Sequence, residues 1–408
     1  MVSSVTGANL GIFPVYSCQS LLPMYKILLL LDYASEFERN ILRGLVKYSS
    51  EHGPWLFYRL PPSFRATYGD EGIIRYAREW KADAVIGRWD NDELDIRREL
   101  HIPVVYQNYH HRRVDSCNLT GDYRSAGMMA AQFFFSKGYR NFAYMGIEGV
   151  VWSCERRDAF REYVQTNGGD FSCFEYGPEE DSGLRSRLRN WLESLPKPVA
   201  LFCCDDENAL YVSETCKICG LRIPDDISLL GVDNDELICN ISDPPISSVE
   251  LNVKAGGYAL GRLIHEMING EFAGVRDVVI SPVRIETRQS TEKYDIRDPY
   301  IRKVMQRIDN EFATDLTVAD LLADVPMSRR NIEVKFRKAV GTSIWQYLLG
   351  CRCRYLANLL ITTDRQLIDL ASEAGFSDYT NIARAFRKIF GCSPKEYRNR
   401  NLFARIDE

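Results

Sequence analysis

The sequence has few of the residues on which metal-dependent and nucleophilic enzymes rely. It contains five histidines in 408 residues, and none stands in the H-E-x-x-H spacing of a zinc-binding helix or in a recognisable Ser-His-Asp arrangement. A glycine-rich phosphate loop is also missing. These absences argue against the common metal-dependent, serine-type and nucleotide-binding enzymes.

Long apolar runs are missing as well. The run "ILLLL" at residues 27–31 falls far short of the roughly 20 residues that a membrane-spanning helix needs. Residues 1–23 have no basic stretch ahead of their apolar residues, so we expect no secretory signal and a cytoplasmic protein. We expect residues 1–24 to form a disordered extension, with Met24 as an alternative start.

The twelve cysteines follow no disulfide framework. Cys216 and Cys219 have the C-x-x-C spacing of a zinc or redox pair, but no second pair at zinc-site spacing follows them. We therefore expect reduced, structural thiols, no metal and no cofactor.

Charge is distributed unevenly along the chain. Residues 300–400 carry 17 Lys and Arg against 11 Asp and Glu, whereas residues 1–299 carry 33 against 43. A basic C-terminal segment on an acidic body favours a polyanionic partner for that segment, although a chance difference between domains gives the same counts.

From Tyr25 onward, short apolar runs alternate with amphipathic ones. "YKILLLLD" predicts a buried strand, and residues 36–51 predict a helix with Ile41 and Leu45 on its apolar face. The alternation continues for some 265 residues in two successive runs. It predicts an α/β sensor domain at residues 25–290, with two similar lobes built on parallel sheets.

Polar residues close several of the predicted strands. In open parallel sheets a ligand sits at the carboxyl ends of the strands, and carboxylates, amides and an aromatic face suit a small neutral polyol. The same residue types also serve as helix N-caps, which is the alternative for each position. The predicted ligand contacts at these strand ends are Asp32, Trp89, Asp90, Asn108, Asp205, Asp206 and Asp233.

The chain becomes wholly helical in pattern after a polar linker at residues 291–299. Residues 315–341 predict a short helix, a tight break and a second helix that begins after Ser328. Residues 366–391 repeat that arrangement 50 residues later, with the sequence Phe-Arg-Lys and a following glycine in both copies. Residues 300–400 therefore predict an all-α domain with two helix-turn-helix units, followed by a tail at residues 401–408.

The second unit contains apolar residues at Ile382, Phe386 and Ile389, with Arg384, Arg387 and Lys388 between them. The spacing predicts an apolar face that anchors the helix and a basic face that is free to contact DNA.

The stretch "IPDDISLLGVDNDELICNISDPPISSVELN" (residues 223–252) resembles the C-terminal lobe of the lac-repressor and periplasmic sugar-binding fold. The resemblance implies effector contacts at Asp233, at Asp205-Asp206 and, through "CERRDAFREY", at Arg156 rather than at Arg157. It also implies that residues 244–249 form a hinge crossing and that Asp122 opens a helix of lobe one.

Residues 300–400 resemble the DNA-binding domain of the AraC family. The residues that carry its signature are Ala371, Gly375, Phe376, Ser377, Asp378, Phe386, Arg387, Lys388, Phe390, Gly391, Ser393, Pro394, Tyr397 and Arg398. One departure is Pro326, where the first turn commonly has glycine; proline cannot adopt a positive φ, so this turn needs another geometry. The combination of both domains resembles the xylose operon regulator family.

The AraC resemblance implies roles for individual residues by position. Those expected to contact base edges are Arg330, Glu333 and Val334 in the first unit and Tyr379, Thr380, Ala383 and Arg384 in the second. Those expected to contact phosphates are Arg337, Lys338, Arg387, Lys388 and Lys395.

Together these features predict a DNA-binding transcriptional regulator, an activator of pentose catabolism, with xylose as the first choice of effector. Arabinose and ribose are alternative effectors, and a sugar-acting enzyme is the alternative class because adjacent carboxylates also suit acid–base chemistry. The expected partners are double-stranded DNA, the sugar, a second copy of the chain and RNA polymerase, with no membrane.

Overall fold

The computed structural model describes residues 24–177, 183–292, 298–362, 365–376 and 382–402. The expected N-terminal extension lies outside these residues except for Met24, as do most of the linker and residues 403–408 of the tail. Among the helices of the described ranges, none combines the length and the hydropathy that crossing a membrane requires.

Lobe one is a parallel sheet with helices on both faces. Its strands stand in the spatial order β2-β1-β3-β4-β5-β11, with β1 at Tyr25–Leu30, β2 at Trp55–Arg59, β3 at Ala84–Gly87, β4 at Val104–Tyr106, β5 at Cys117–Gly121 and β11 at Val278–Ile280. Its helices are α1 (Glu36–His52), α2 (Pro62–Trp80), α3 (Ile96–Leu100) and α9 (Val253–Ile268).

Lobe two repeats the arrangement. Its sheet has the order β7-β6-β8-β9-β10-β12, with β6 at Asn141–Ile147, β7 at Asp170–Tyr176, β8 at Val199–Cys203, β9 at Ile227–Val232, β10 at Ser247–Leu251 and β12 at Pro282–Glu286, which pairs antiparallel to β10. Its helices are α4 (Tyr123–Ser136), α5 (Val151–Thr166), α6 (Leu184–Ser194), α7 (Asp206–Cys219) and α8 (Glu236–Ile241), and a 3-10 turn at Gln289–Thr291 closes it. The predicted fold class is confirmed.

The chain passes between the lobes at residues 121–123, 251–253 and 280–282, where a strand of one sheet leads directly into an element of the other lobe. The predicted hinge at residues 244–249 was wrong, because these residues lead into β10 inside the sheet of lobe two. Asp122 caps α4 as expected, accepting a hydrogen bond from the Ser125 amide, but α4 packs on α5 and belongs to lobe two.

Lobe one depends on a close approach of α1 and α9. A Cβ on Gly257 would lie 2.3 Å from the carbonyl oxygen of Ile41, and a Cβ on Gly44 would lie 2.2 Å from that of Lys254. Glycine at both positions lets the two backbones pack together without a side chain between them.

The C-terminal helical domain comprises α10 (Pro299–Glu311), α11 (Val318–Leu322), α12 (Arg329–Val340), α13 (Ile344–Thr362), α14 (Leu367–Glu373), α15 (Ile382–Phe390) and α16 (Pro394–Leu402). One apolar cluster underlies α10 to α12, and a second lies between α13, α14 and α15. The two predicted helix-turn-helix units are α11–α12 and α14–α15. The division of the chain into domains at residues 290 and 300 stays a prediction.

The internal repeat is visible at the ends of α12 and α15, the second helix of each unit. Gly341 follows α12 with φ +81° and Gly391 follows α15 with φ +74°, the left-handed conformation that glycine adopts without strain. Two residues later, Ser343 accepts from the amide of Gln346, and Ser393 accepts from that of Glu396. Both units therefore start the next helix with the same cap.

The break in the first unit has the alternative geometry expected of Pro326. None of the described residues between α11 and α12 has a positive φ, and the amide of Met327 donates to the carbonyl of Val325 at 2.7 Å. In the second unit, Gly375 makes the turn with φ +80°, and a Cβ there would lie 2.6 Å from the Phe312 carbonyl oxygen.

Lobe two contacts the C-terminal helical domain at the end of α4. Lys137, 5% exposed, places its Nζ 4.0 Å from Oδ2 of Asp309 on α10. The hydroxyl of Tyr347 on α13 donates to the other oxygen of Asp309 at 3.2 Å. Asp309 thus joins the sensor to two helices of the C-terminal helical domain.

We expect Gly257→Ala to destabilise lobe one by about 1–3 kcal/mol, because the added methyl group forces α9 away from the α1 backbone. Scanning calorimetry of the full chain would show this as a lower melting temperature. Gly183→Ala is the matched control, since Gly183 has open space around its Cβ position and a negative φ. Equal melting temperatures for the two variants would contradict the close-packing argument.

Candidate effector cleft and DNA-reading helices

The two lobes contact each other beside the carboxyl ends of their strands, and the space between these strand ends is called the cleft. Nη2 of Arg39 on α1 lies 3.2 Å from Oδ2 of Asp235 at the start of α8. Farther along, the Arg112 guanidinium pairs with the Glu155 carboxylate on α5, and the Val151 amide donates to the Tyr109 carbonyl at 2.7 Å. These contacts join α1 and the loop after β4 of lobe one to lobe two.

Arg156 lies on the lobe-two side of the cleft. It is 3% exposed, donates to the carbonyl of Cys204 after β8, and places Nη2 3.8 Å from Oδ1 of Asp233. Its guanidinium carbon lies 5.3 Å from the ring centre of Tyr123. The neighbouring Arg157 turns away and pairs with Glu175 on β7. The structure thus brings Arg156, and not Arg157, to the cleft.

Asp233 stands in an unusual backbone conformation. It has φ +100° and the next residue, Asn234, has φ +52°, values that cost energy for residues other than glycine. Burial raises the pKa of the Asp233 carboxyl to about 6, although Arg156 opposes the shift. Strain and an unfavourable buried charge at one strand end are typical of a residue kept for binding.

Several buried polar atoms from both lobes have no hydrogen-bond partner within the described residues. Among them are the Tyr33 hydroxyl, Asp90 Oδ1 and Asn108 Nδ2 in lobe one, and Arg156 Nε and Asp233 Oδ1 in lobe two. The others are nitrogens of Trp55, Arg65, Arg113 and Arg302. Buried polar groups are costly when unpaired, and these groups include both donors and acceptors. A ligand with several hydroxyl groups offers partners for both kinds.

The predicted contacts that follow β1, β3 and β4 have mixed surroundings. Asp32 is exposed, and its Oδ1 accepts from the Ala34 amide at 3.2 Å. Asp90 pairs with Arg88 through one oxygen. Asn108 accepts from the Trp89 amide at 3.0 Å, which fixes its side chain and leaves its Nδ2 unpaired within the described part of the chain.

The structure corrects the expected role of Trp89. Its ring is 1% exposed, packs in the core of lobe one beside α2, and donates through Nε1 to the Leu94 carbonyl at 2.7 Å. No open face remains for a sugar ring, because Trp89 fills the space between β3 and the helices instead.

The two acidic residues after β8 are used inside lobe two. Asp205 caps α7 and accepts from the Asn208 amide at 2.7 Å, the cap alternative named for these positions. Asp206 accepts from Ser248 at 2.6 Å and from the Asp235 amide at 2.8 Å. It therefore joins the end of β8 to the loop after β9 and to the start of β10. Asp205 therefore fixes the start of α7, whereas Asp206 holds the loop that carries Asp233 and Asp235.

Sequence reasoning missed Glu38 on α1, a buried carboxyl at the lobe-one side of the cleft. The Tyr109 hydroxyl lies 3.5 Å from its Oε1. A signal was present: Glu38, Ile41 and Leu45 share the 3-and-4 spacing of the buried face of α1. A carboxylate on an apolar stripe is unusual enough to be a candidate site residue.

The first helix-turn-helix unit presents the predicted basic face. On α12, Ile332 and Phe336 are fully buried, whereas Val334 is 63% exposed. The charged residues of that face are Arg330, Arg337 and Lys338, all exposed, and Glu333, which pairs with Arg329 at 3.0 Å. The side chain of Lys335 donates to Asp298 at 2.9 Å, which anchors α12 to the start of α10.

The second unit has the same division of faces. Ile382 and Phe386 are buried on α15, and its exposed face carries Ala383, Arg384, Arg387 and Lys388. Ile389 is 41% exposed, so its predicted place on the anchoring face was wrong. Lys395 on α16 is exposed, and the predicted base contacts Tyr379 and Thr380 lie outside the described residues.

Arg352 on α13 fastens the connection between the two units. Its guanidinium is buried and donates to the carbonyls of Phe312, Thr314 and Leu316 at 2.7 to 2.9 Å. The loop after α10 is therefore held against α13, the helix shared by both units.

The C-x-x-C pair has no metal-site geometry among the described residues, where no group of three or more His, Cys, Asp or Glu side chains is arranged to hold an ion. Cys216 is buried in the core of lobe two, and burial raises its thiol pKa to about 12.

Comparison with known families matches two parts of the chain. The family described as periplasmic binding protein-like domain matches residues 131–291, and the one described as helix-turn-helix domain matches residues 321–400. The chain is a transcriptional regulator that joins a periplasmic-binding-protein-like domain to an AraC-type helix-turn-helix domain.

Curated relatives match this regulator along nearly its whole length. It is 25% identical over 396 residues to the xylose operon regulatory protein of Escherichia coli (strain K12), covering 92% of this chain and 97% of that protein. The xylose operon regulatory protein of Haemophilus influenzae is also 25% identical, over 395 residues, with 92% of this chain and 98% of that protein covered.

Solved structures resemble the regulator in fold. One described as the xylose-binding transcription activator xylR has a TM-score of 0.56 at 23% identity and covers 93% of this chain and 99% of that chain. The complex of the transcriptional regulator CelR with cellobiose has a TM-score of 0.56 at 21% identity and covers 66% and 86%.

We expect Asp233→Asn to stabilise the regulator by about 1–3 kcal/mol at pH 8. The raised pKa means that the unfolded chain releases this proton first as the pH rises, so wild-type stability falls between about pH 4 and pH 6. Asparagine mimics the protonated side chain and removes that loss. Thermal unfolding at pH 5 and pH 8 measures the difference, which should be larger at pH 8.

Asp170→Asn is the matched control, because Asp170 is an exposed residue at the start of β7. Its effect should be small at both pH values. A lower melting temperature of Asp233→Asn at pH 8 would mean that the Arg156 ion pair outweighs the burial of the carboxylate.

Proposed function

We propose that this regulator activates transcription of genes for pentose catabolism, with xylose as the effector that binds between the two lobes. One observation carries the proposal: both lobes contribute buried donors and acceptors that have no hydrogen-bond partner among the described residues, in a chain that also carries two exposed basic helix faces. The full-length likeness to xylose operon regulatory proteins supports the choice of sugar.

The cleft chemistry favours a small neutral polyol. Its hydroxyl groups donate to carboxylates such as Asp233 and accept from Arg156 and Asn108, so each group gains a partner without a new charge being buried. The proposed effector contacts are Asp32, Asp90, Asn108, Arg156 and Asp233, with Asp205 and Asp206 holding the loops around them.

The proposed mechanism is a population shift. An effector that binds both lobes favours the closed form, because only that form offers it all its partners. The C-terminal helical domain, in contact with lobe two through Asp309, then changes its position relative to lobe one. In a homodimer this movement sets the distance between paired domains on adjacent DNA half-sites, where the activator meets RNA polymerase in the cytoplasm.

A titration of the full chain with xylose, arabinose and ribose in a calorimeter tests the sugar assignment. We expect saturable binding of xylose, tighter than that of the other two, and no consumption of the sugar in the recovered mixture. Binding of arabinose or ribose alone would move the assignment to that sugar. Turnover of the sugar would instead favour the enzyme alternative that adjacent carboxylates permit.

For DNA, we expect Arg384→Ala to weaken binding to the preferred site by about 1–3 kcal/mol and to relax the preference for one base. Binding measured on a set of sites that differ by single base pairs checks this. A uniform loss on every site would show that Arg384 positions the helix without reading a base.

Lys388→Ala is the matched comparison on the same helix. We expect it to weaken all sites equally and to lower the slope of log affinity against log salt by about one unit, as the loss of one phosphate contact does. An unchanged slope would place Lys388 away from the DNA backbone.

A further inference from the structure

Glu38 is buried where a charged group is unfavourable. It is 5% exposed on α1, three residues after the N-cap Ser35, whose hydroxyl accepts a hydrogen bond from the Glu38 amide at 3.4 Å. Burial raises the pKa of its carboxyl to about 7, with further contributions from Asp233 and Asp32. A carboxyl in such an unfavourable place is a candidate for a functional role.

The hydrogen-bonding capacity of Glu38 is only partly used. The Tyr109 hydroxyl lies at 3.5 Å, the outer limit of a hydrogen bond, and the Gln107 side chain interacts with it. An ionised carboxylate accepts from about four directions, so room for further donors remains.

The surroundings of Glu38 come from both lobes. Lobe one contributes Asp32 and Tyr33 after β1, with Arg59 stacked on the Tyr33 ring, and Tyr109 after β4, with Arg88 stacked on its ring. The neighbour Arg39 is committed to Glu36 and to Asp235 across the cleft. Lobe two contributes Asp233, which is paired with Arg156.

We propose that Glu38 is a specificity-determining residue of the effector cleft, which in its ionised form accepts hydrogen bonds from hydroxyl groups of a neutral effector. This inference rests on the proposed function, since it assigns the lobe-one partner of the same ligand.

The charges around Glu38 explain the preference for a neutral, hydroxyl-rich ligand. Glu38, Asp32 and Asp233 repel one another when all are ionised, and hydroxyl donors inserted between them stabilise the ionised forms without adding charge. An acidic sugar would add a further negative charge to this set. The cleft therefore selects for hydroxyl donors on the side of the ligand that faces α1.

A consequence is that effector binding releases a proton from Glu38. The group is about half protonated at pH 7 before binding, and hydroxyl donors lower its pKa, so up to about half a proton leaves for each effector bound. For the same reason, affinity should be about tenfold weaker at pH 6 than at pH 8.

The experiment is a calorimetric titration of the full wild-type chain with xylose at pH 7 in phosphate and in Tris, two buffers with different ionisation enthalpies. Different observed heats in the two buffers measure the protons released. We expect release of about half a proton in the wild type. Binding with no proton exchange, or with proton uptake, overturns the role of Glu38 and leaves the sugar-sensor function intact.

Two variants test whether the released proton comes from Glu38. Glu38→Gln should bind xylose about tenfold more weakly at pH 8 and release no more than about 0.1 proton at pH 7, the share left to Asp233. Glu79→Gln, an exposed carboxylate of α2, should match the wild type. Wild-type proton release by Glu38→Gln overturns the proposal.

The wild-type measurement needs no variant, so misfolding of Glu38→Gln does not prevent a decision. Absence of binding heat with xylose, arabinose and ribose in the wild type is a different result. It refutes the pentose sensor itself, and the role of Glu38 with it.

Discussion

The buried guanidinium of Arg156 is the constraint on which the lobe-two half of the cleft depends. It donates to the carbonyl of Cys204 after β8 and lies 3.8 Å from the carboxylate of Asp233 after β9. It also lies over the ring of Tyr123, the first residue of α4. A buried cation is tolerated only where such partners surround it, so three separate chain segments must converge on one point. Asp233, one of these partners, has a strained backbone conformation at the place where we propose that a ligand binds.

The sequence was sufficient for the architecture because the architecture rests on periodic patterns. Alternating apolar strands and amphipathic helices specify parallel sheets with helices on both faces, and the two copies of Phe-Arg-Lys with a following glycine specify the repeated units. The matching left-handed glycines at Gly341 and Gly391 explain why that signal was so clear: each copy must end its helix in the same way.

The site was predicted less completely, for reasons that particular residues illustrate. Polar residues at strand ends serve as caps or as ligand contacts, and the sequence does not distinguish Asp205, a cap, from Asp233. Trp89 looked available because it ends a strand, yet the helices of lobe one cover its ring. Glu38 was missed because the residues that surround its carboxyl, such as Tyr109 and Asp233, are distant in the chain. The hinge was misplaced because a strand and a crossing between lobes share the same local sequence pattern.

Helix α4 connects two places that matter for signalling. It begins at Tyr123, directly after the crossing at Gly121, and Lys137, which contacts Asp309, follows its last residue. Its 14 residues make a rod of about 21 Å. A rotation of about 10° at the crossing would carry the far end of such a rod through about 4 Å. Helix α4 would thus act as a lever arm that converts a small rotation at the crossing into a displacement where Lys137 meets the C-terminal helical domain.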